Sequence, residues 1–541
     1  MSRKSGRRVA TAAAESPQNP TADGSVLAAD AEVLRLGRLR LTARQAEIGA
    51  LALTITLAAI LHLANLGDHY LWQDEAQTAL IAKTVLSDGV PRGYDGKNSF
   101  SQEAGHDCGP APGYIWRLHA WLQFYLLAGF FGVLGTSTLV ARLPFALVGL
   151  ASVPLGYWFA RMLWQSRRAA VLSAILLGTC VPFLLLSRQC RYYSLSAFFS
   201  LLGLLAYQQM IERKRWAAPL FVVAAVLLFH SHYPCWVVLL ATVLAHALAF
   251  HRDRFVVVAL SSFLTILLNV PWLIWMWPTV ASQSETKSSF FRPFYFARDY
   301  TLETFQHVFS PVLIGLLVVV MIAAALRAKR FPAPGPATRR GAILLLMFVA
   351  FNTILFSAVT RVHYFRYLAP TIPVLCVLAG RIVDAAMRLH PALGIAGLAA
   401  ILCLSPMADF LYEITHHYRG PIEGIVKYLN EHGKPDDVVV ITYDDLPVKF
   451  YTPMRVVGAF TGEDLSPART ARWIIIRQNP VGDADLAAGQ FLLTHLQDPV
   501  YRQISLDYPD LPWDNRENPR NHLYRSQTGG PQVQIFERAG P

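Results

Sequence analysis

Charge is scarce in this chain. Only 16% of its 541 residues are Asp, Glu, Lys or Arg, against about 25% in ordinary soluble domains. With 54% hydrophobic residues as well, a purely soluble fold is excluded. Acid is the rarer sign, 36 residues against 48 basic, for a formal net charge of +12. A basic excess clustered on one folded face would point to nucleic acid. Here the basic residues sit in short loops between apolar runs, so a nucleic-acid partner is excluded. Cysteine is scarce too, and its six positions show no metal-ligand spacing, which excludes a zinc-ribbon framework. Cys180, Cys235, Cys376 and Cys403 lie in or against apolar runs, where cysteine acts as a small hydrophobe. Cys108 and Cys190 are the two placed to face an oxidising compartment, and no spacing pairs them. The chain has no phosphate-binding glycine loop, no dinucleotide fingerprint and no evident internal repeat. Its first apolar run begins too late for a cleavable signal.

What it has in quantity is apolar runs about 20 residues long, the length that crosses a bilayer. Residues 1–45 are polar and basic and read as a disordered cytoplasmic tail. Spans are expected at 46–66, 142–163, 169–187 and 194–211. A hairpin of two short spans is expected over 217–250, turning at HSHYP (230–234). Further spans follow at 255–277, 309–326, 341–359, 368–383 and 391–411. Residues 114–134 carry Arg117 and His119 and are rich in aromatics, as helices lying in the interface are. Counting them as a span would put the basic clusters at Arg161–Arg168 and Glu212–Arg215 outside, against the positive-inside tendency. The expected fold is therefore an α-helical polytopic membrane protein of about eleven spans over 46–411, with its N-terminus inside and a first outer loop at 67–141.

From 412 to 541 the composition shifts to that of a small exported α/β domain. Strands are expected at 437–442, 454–460, 472–476 and 532–536, and a helix at 424–432. The acidic pairs Asp436, Asp437 and Asp444, Asp445 read as solvated turns.

The chain is organised around residues 70–114. Asp74 and Glu75 stand at the start of a short amphipathic helix, 76–86, stopped by Gly89 and Pro91. Asp at a helix start is a good N-cap, and Glu suits the first turn. Carboxylates beside a bilayer are also costly without a task or partner. On this topology other polar groups converge on the same face. They are His106 and Asp107 in the first loop, then Arg142, then Arg188, Gln189, Arg191, Tyr192 and Tyr193. His230, His232 and Tyr233 follow at the hairpin turn, and Arg361, His363, Tyr364, Arg366 and Tyr367 before the tenth span. Arg188 and Arg191 break the positive-inside tendency, and binding phosphate is a good reason for a guanidinium there. HSHY invites a metal, but spacing supplies no third ligand. No metal site is expected, and divalent-metal dependence is left open.

The segments LWQDEAQTALIAKTVLSDGVP, HDCGPAPGYIW, GTSTLVARLPFALVG, SRQCRYYSLSAFF and FRYLAPTIPVL occur in this order. Over 46–411 the chain thereby resembles the C-type integral-membrane glycosyltransferases. It is most similar to the branch with protein O-mannosyltransferases, lipid A aminoarabinose transferases and galacturonosyltransferases. The resemblance implies a bacterial inner-membrane enzyme that takes a sugar from a polyprenyl-phosphate donor. The acceptor would be a glycolipid, a glycan or a protein, on the outer face. It implies Asp74 as general base with Glu75 its neighbour, and inversion at the sugar. Arg188, Arg191, Arg366 and Tyr367 are the candidates for the donor phosphate, and no cofactor is implied. Two positions depart from the pattern. Gly109 stands near the place of a lysine, and Tyr193 near that of an aspartate in the aminoarabinose transferases. The rival reading, a polyprenyl-lipid flippase, calls for paired midplane charges and pseudo-repeats, and neither is evident.

Overall fold

The computed structural model describes residues 32–36, 39–102, 105–283, 291–326, 335–478, 483–496, 499–511 and 516–539. Within the expected tail, β1 (Glu32–Leu36) and β2 (Leu39–Thr42) pair antiparallel. This is a correction for those residues; the tail before Glu32 lies outside the described residues.

All eleven expected spans are helical. Six helices are long and apolar enough to cross a membrane: α1 (Ala43–Leu63), α4 (Thr138–Trp164), α7 (Tyr193–Ile211), α9 (Tyr233–Phe250), α10 (Arg252–Gln283) and α13 (Pro336–Val359). Three bent helix pairs are long and apolar enough as well if each is taken as one span. α5 (Arg167–Gly178) and α6 (Val181–Ser187) meet at 58°. α11 (Arg292–Glu303), prolonged by a turn to Val308, meets α12 (Pro311–Leu326) at 85°. α15 (Pro391–Leu404) and α16 (Met407–Glu413) meet at 48°. A proline lies at each break (Pro182, Pro311, Pro406), where the missing N–H and ring clash interrupt the helix. The remaining two expected spans fall short of that test. α8 (Ala217–Phe229) has 13 residues, and α14 (Thr371–Leu389) carries Arg381, Asp384 and Arg388. Those charges are mutually paired, Asp384 accepting from Arg168 at 2.5 Å, Arg381 at 3.0 Å and Arg388 at 3.1 Å.

The first loop differs from expectation in two ways. Its helix α2 runs Gln73–Asp88, capped by left-handed Gly89, and is not amphipathic. Every residue from Gln73 to Ala82 is buried, because the C-terminal domain covers the face meant for solvent. Second, only Leu122–Leu134 (α3) of the expected 114–134 helix is helical. Residues Ile115 and Trp116 instead bridge antiparallel to Arg92 and Cys108, with Trp116 fully buried.

The C-terminal domain packs α17 (Pro421–His432) on a five-stranded mixed sheet. The strands are β3 (Val438–Ile441), β4 (Arg455–Gly458), β5 (Trp473–Ile475), β6 (Tyr501–Pro509) and β7 (Gln532–Arg538), in the order β4-β3-β5-β7-β6. β3 is parallel to β4 and β5, and β7 is antiparallel to β5 and β6. Ile422, Ile425 and Leu429 bury against Val439, Ile441, Trp473 and Ile535. The four expected strands are present; β6 and the helices α18 (Asp445–Tyr451) and α19 (Asp483–His495) were not expected.

Asp444 and Asp445 are a correction. Both are buried. Asp444 is bound by Arg477, which also donates to Asp510 at 2.6 Å. Asp445 accepts from Lys449 at 2.8 Å and from Gln73 at 2.9 Å. A solvated turn needs no such partners, but a buried carboxylate does. The Gln73 bond, with one from Leu71 N to Tyr451 Oη at 2.9 Å, ties α18 to the start of α2.

Candidate active site

Trp72 precedes the first turn of α2, so Asp74 and Glu75 both lie inside the helix rather than at its cap. Their side chains leave in different directions. Glu75 accepts from Arg142 Nε at 2.8 Å and Nη2 at 2.6 Å, and from Cys190 N at 2.7 Å. Arg142 also donates to the carbonyls of Leu66, His69 and Tyr70 at 2.8–3.2 Å. This bidentate pair is fully satisfied. It staples the first loop to α4 and to the turn after α6.

Asp74 is the carboxylate that faces a cluster. Its Oδ2 accepts from Arg366 Nη1 at 2.6 Å and Arg191 Nη2 at 3.4 Å, and its Oδ1 from Gln102 Nε2 at 3.2 Å. Burial alone would raise its pKa, but Arg191 and Arg366, helped by Gln102, hold the carboxyl below its ordinary value. Arg191 stands on the turn between α6 and α7. Its Nη1 donates to Asp74 O (3.1 Å), Gln77 Oε1 (3.3 Å) and Thr78 Oγ1 (3.0 Å). Arg366 stands on the short turn Phe365–Leu368 between α13 and α14, its guanidinium 3.9 Å from the Tyr364 ring. Its Nη1 also donates to Glu517 Oε1 at 2.8 Å and to Tyr193 Oη at 3.4 Å. Glu517 Oε2 accepts from Arg366 N at 3.2 Å. Burial, then the nearby Asp74, lift the Glu517 pKa against the pull of Arg366.

The other expected site residues divide by place. Asp107 accepts from Ser101 Oγ at 2.8 Å and Gln102 N at 3.1 Å, and so positions the amide that reaches Asp74. His232 stacks on Tyr192 at 4.4 Å and on Tyr367 at 6.3 Å, walling the cluster. Burial, with Arg366 and Arg191 nearby, lowers its pKa to about 3. Arg188 points away, donating to Leu61 O and Ala64 O at 2.8 and 2.9 Å. It lines a separate cavity of about 40 Å³ with Arg142, Glu413, Arg516 and His522. His230 packs edge-on to Trp272, whose Nε1 donates to Tyr233 Oη at 2.8 Å. His363 Nε2 lies 3.3 Å from Glu303 Oε2, and His106 is exposed. Among the described residues, no three His, Cys, Asp or Glu side chains gather closely enough to hold a metal ion.

Sequence reasoning missed Gln102, Glu517 and His119. Burial, then Arg191, hold His119 neutral with a pKa near about 3, despite Asp74. A larger cavity, 530 Å³, opens where the three bent helix pairs break. Pro182, Ser310, Pro406 and Cys376 line it, with Pro519 and Arg520 from the C-terminal domain.

No protein-family model matches the chain, and no curated protein matches it by sequence. Solved structures do match. The apo structure of ArnT from Cupriavidus metallidurans superposes with a TM-score of 0.58 at 15% identity, covering 92% of this chain and 100% of that one. The chain shares the fold of that structure over nearly its whole length. ArnT bound to undecaprenyl phosphate matches at a TM-score of 0.54 and 15% identity, over 91% and 99% of the two chains. The oligosaccharyltransferase AglB from Archaeoglobus fulgidus gives 0.49 at 11% identity, over 87% and 75%. With this fold and its apolar helices, the chain is a multi-pass membrane protein.

Proposed function

We propose that this chain transfers a sugar from a polyprenyl-phosphate donor to a hydroxyl or amine acceptor. The observation that carries the reading is Asp74, a buried carboxylate with two guanidiniums on one oxygen, in the fold of ArnT. One of the similar structures was solved with undecaprenyl phosphate, a ligand these arginines suit.

In this reading Asp74 takes the acceptor's proton as its oxygen or nitrogen attacks the anomeric carbon. The bond from that carbon to the phosphate oxygen breaks on the opposite side, which gives inversion. The polyprenyl phosphate is a competent leaving group, with a second pKa of about 6, so no general acid is required. Arg191 and Arg366 stabilise the charge that develops on it. Tyr193 and Tyr367 stand beside them. In the resting site the same arginines make Asp74 a weak base. A phosphate that draws Arg366 away leaves Asp74 buried with less compensation, and burial raises basicity. The 530 Å³ cavity suits the first prenyl units. Arg520 at its edge is three residues from Glu517, at most about 10 Å along the chain. Eleven passes with the N-terminus inside would place the site and the C-terminal domain on the outer face of the bacterial inner membrane. Glycolipid, glycan and protein acceptors all fit this chemistry.

The test is mass spectrometry of polyprenyl-phosphate sugars in membranes carrying wild type, a deletion, or Asp74→Asn. One lipid-linked sugar accumulating alike in the deletion and the variant is the expected result. Unchanged lipid-linked sugars under labelled-donor flux would contradict the reading.

A further inference from the structure

Glu517 reaches the cluster from the C-terminal domain. The segment Arg516–His522 lies across it like a strap, fastened at several points, among them Arg516 to His69. Gln189 Nε2 donates to Arg516 O at 2.9 Å, Asn518 Nδ2 to Glu303 Oε1 at 3.0 Å, and His522 Nε2 lies 2.8 Å from Glu413 Oε2. The strap sets the Glu517 carboxylate on Arg366, held by both Nη1 and the backbone N–H. Arg366 Nη1 therefore serves two carboxylates at once.

Charge counting then constrains donor binding. Among the described residues that bond one another here, the carboxylates of Asp74 and Glu517 match the guanidiniums of Arg191 and Arg366. Tyr193, Tyr364 and Tyr367 face the same groups and are neutral at pH 7. His119 and His232 are held neutral with pKa values of about 3. Glu303, on α11, is a further carboxyl within electrostatic reach of Glu517 and accepts from Asn518 Nδ2 at 3.0 Å. A donor phosphodiester brings one negative charge into this balanced, buried site, and an uncompensated buried charge is costly.

We propose that Glu517 holds the place of the donor phosphate on Arg366 and yields it, taking up one proton from solvent, when the donor binds. This rests on the polyprenyl-phosphate reading above. The proton goes to Glu517 because the two carboxyls differ. Burial raises the one, while Arg191 stays beside Asp74 and keeps the other ionised when Arg366 turns to the phosphate. The protonated carboxyl becomes a hydrogen-bond donor to a phosphate oxygen, and Asp74 stays ionised to act as base. Glu517 is thus a positioning residue whose exchange couples the C-terminal domain to donor entry.

The experiment compares full-length wild type, Glu517→Gln and Glu517→Asp in detergent, titrated with undecaprenyl phosphate and, as control, undecaprenol. The reading is the ratio of wild-type to variant Kd across pH, which cancels the titration of the lipid phosphate itself. Because wild type must bind a proton with the lipid, its affinity falls relative to Glu517→Gln as pH rises, by up to about tenfold per unit. Above neutral pH, Glu517→Gln binds about 10- to 100-fold more tightly. Glu517→Asp, one methylene short of Arg366, still takes up the proton, so its ratio to wild type stays above one and nearly level with pH; that tighter binding carries the test if Glu517→Gln does not fold. A ratio of one or less at every pH, or Glu517→Asp no tighter than wild type, overturns the proposal while leaving the donor reading intact. Undecaprenyl phosphate binding no better than undecaprenol, in wild type and variants alike, overturns both.

Discussion

Arg366 Nη1 stands 2.6 Å from Asp74 Oδ2 and 2.8 Å from Glu517 Oε1. One guanidinium nitrogen thus joins a carboxylate from the first loop to one from the connection between β6 and β7. The joint helps to hold the Asp74 pKa low, and in the proposed mechanism Arg366 is the group that the donor phosphate captures to make Asp74 basic.

The first consequence is in the pH profile. Losing the base on protonation means that activity falls as pH drops through the Asp74 pKa. In free enzyme that pKa is held low by Arg191 and Arg366 against burial. The acid limb of kcat/KM, which reports free enzyme, is expected below the ordinary carboxylate range. The limb of kcat, which reports the donor complex, is expected at higher pH. Coincident limbs would mean that the donor leaves Arg366 where it is.

Arg191→Ala removes one of the two charges on Asp74 Oδ2 and, in the proposed mechanism, a clamp on the leaving phosphate. Turnover is expected to drop about 10²–10³-fold, and the acid limb of kcat/KM to move up. Steady-state kinetics over pH reads both. Unchanged turnover would remove Arg191 from the site.

Glu75 is adjacent to Asp74 and has a structural part instead. Glu75→Ala leaves the buried Arg142 guanidinium without its carboxylate, at a cost of about 3–5 kcal/mol. A lowered melting temperature or failure to accumulate is expected. A variant that melts like wild type but has lost turnover would return Glu75 to the chemistry.

In the C-terminal domain, Arg477→Ala removes the guanidinium that joins Asp444 and Asp510, both buried, and is expected to destabilise by a similar amount. α18 follows Asp444 directly and fastens α2. Limited proteolysis is therefore expected to cut the domain sooner, with turnover falling alongside. Proteolysis at the wild-type rate would contradict that coupling.

The helices were legible because a bilayer demands long apolar runs, and each of the eleven is helical. The cluster was half legible. Asp74, Arg191 and Arg366 stand in compact motifs beside apolar runs, where a charge is conspicuous. Gln102 and Glu517 are ordinary polar residues in loops, and only the folded chain brings them to Asp74. The burial of α2 was hidden for the same reason. Its polar residues Gln73, Gln77 and Thr78 look solvent-facing until the C-terminal domain and Arg191 are placed against them. Asp444 read as a turn because its partner Arg477 lies 33 residues further on; Asp445 and Lys449 stand at the i,i+4 spacing of a helix, a signal that the turn reading passed over. Adjacent carboxylates such as Asp74 and Glu75 cannot be ranked by position alone. Helical geometry sends their side chains to different neighbours, and only those neighbours separate a base from a staple.

The most direct measurement is turnover by purified Asp74→Asn, using the lipid-linked sugar that accumulates in the deletion membranes. The proposed mechanism predicts a folded protein that still binds donor and whose turnover is lower by about 10²–10⁴-fold. Near-normal turnover in that variant would contradict Asp74 as the general base.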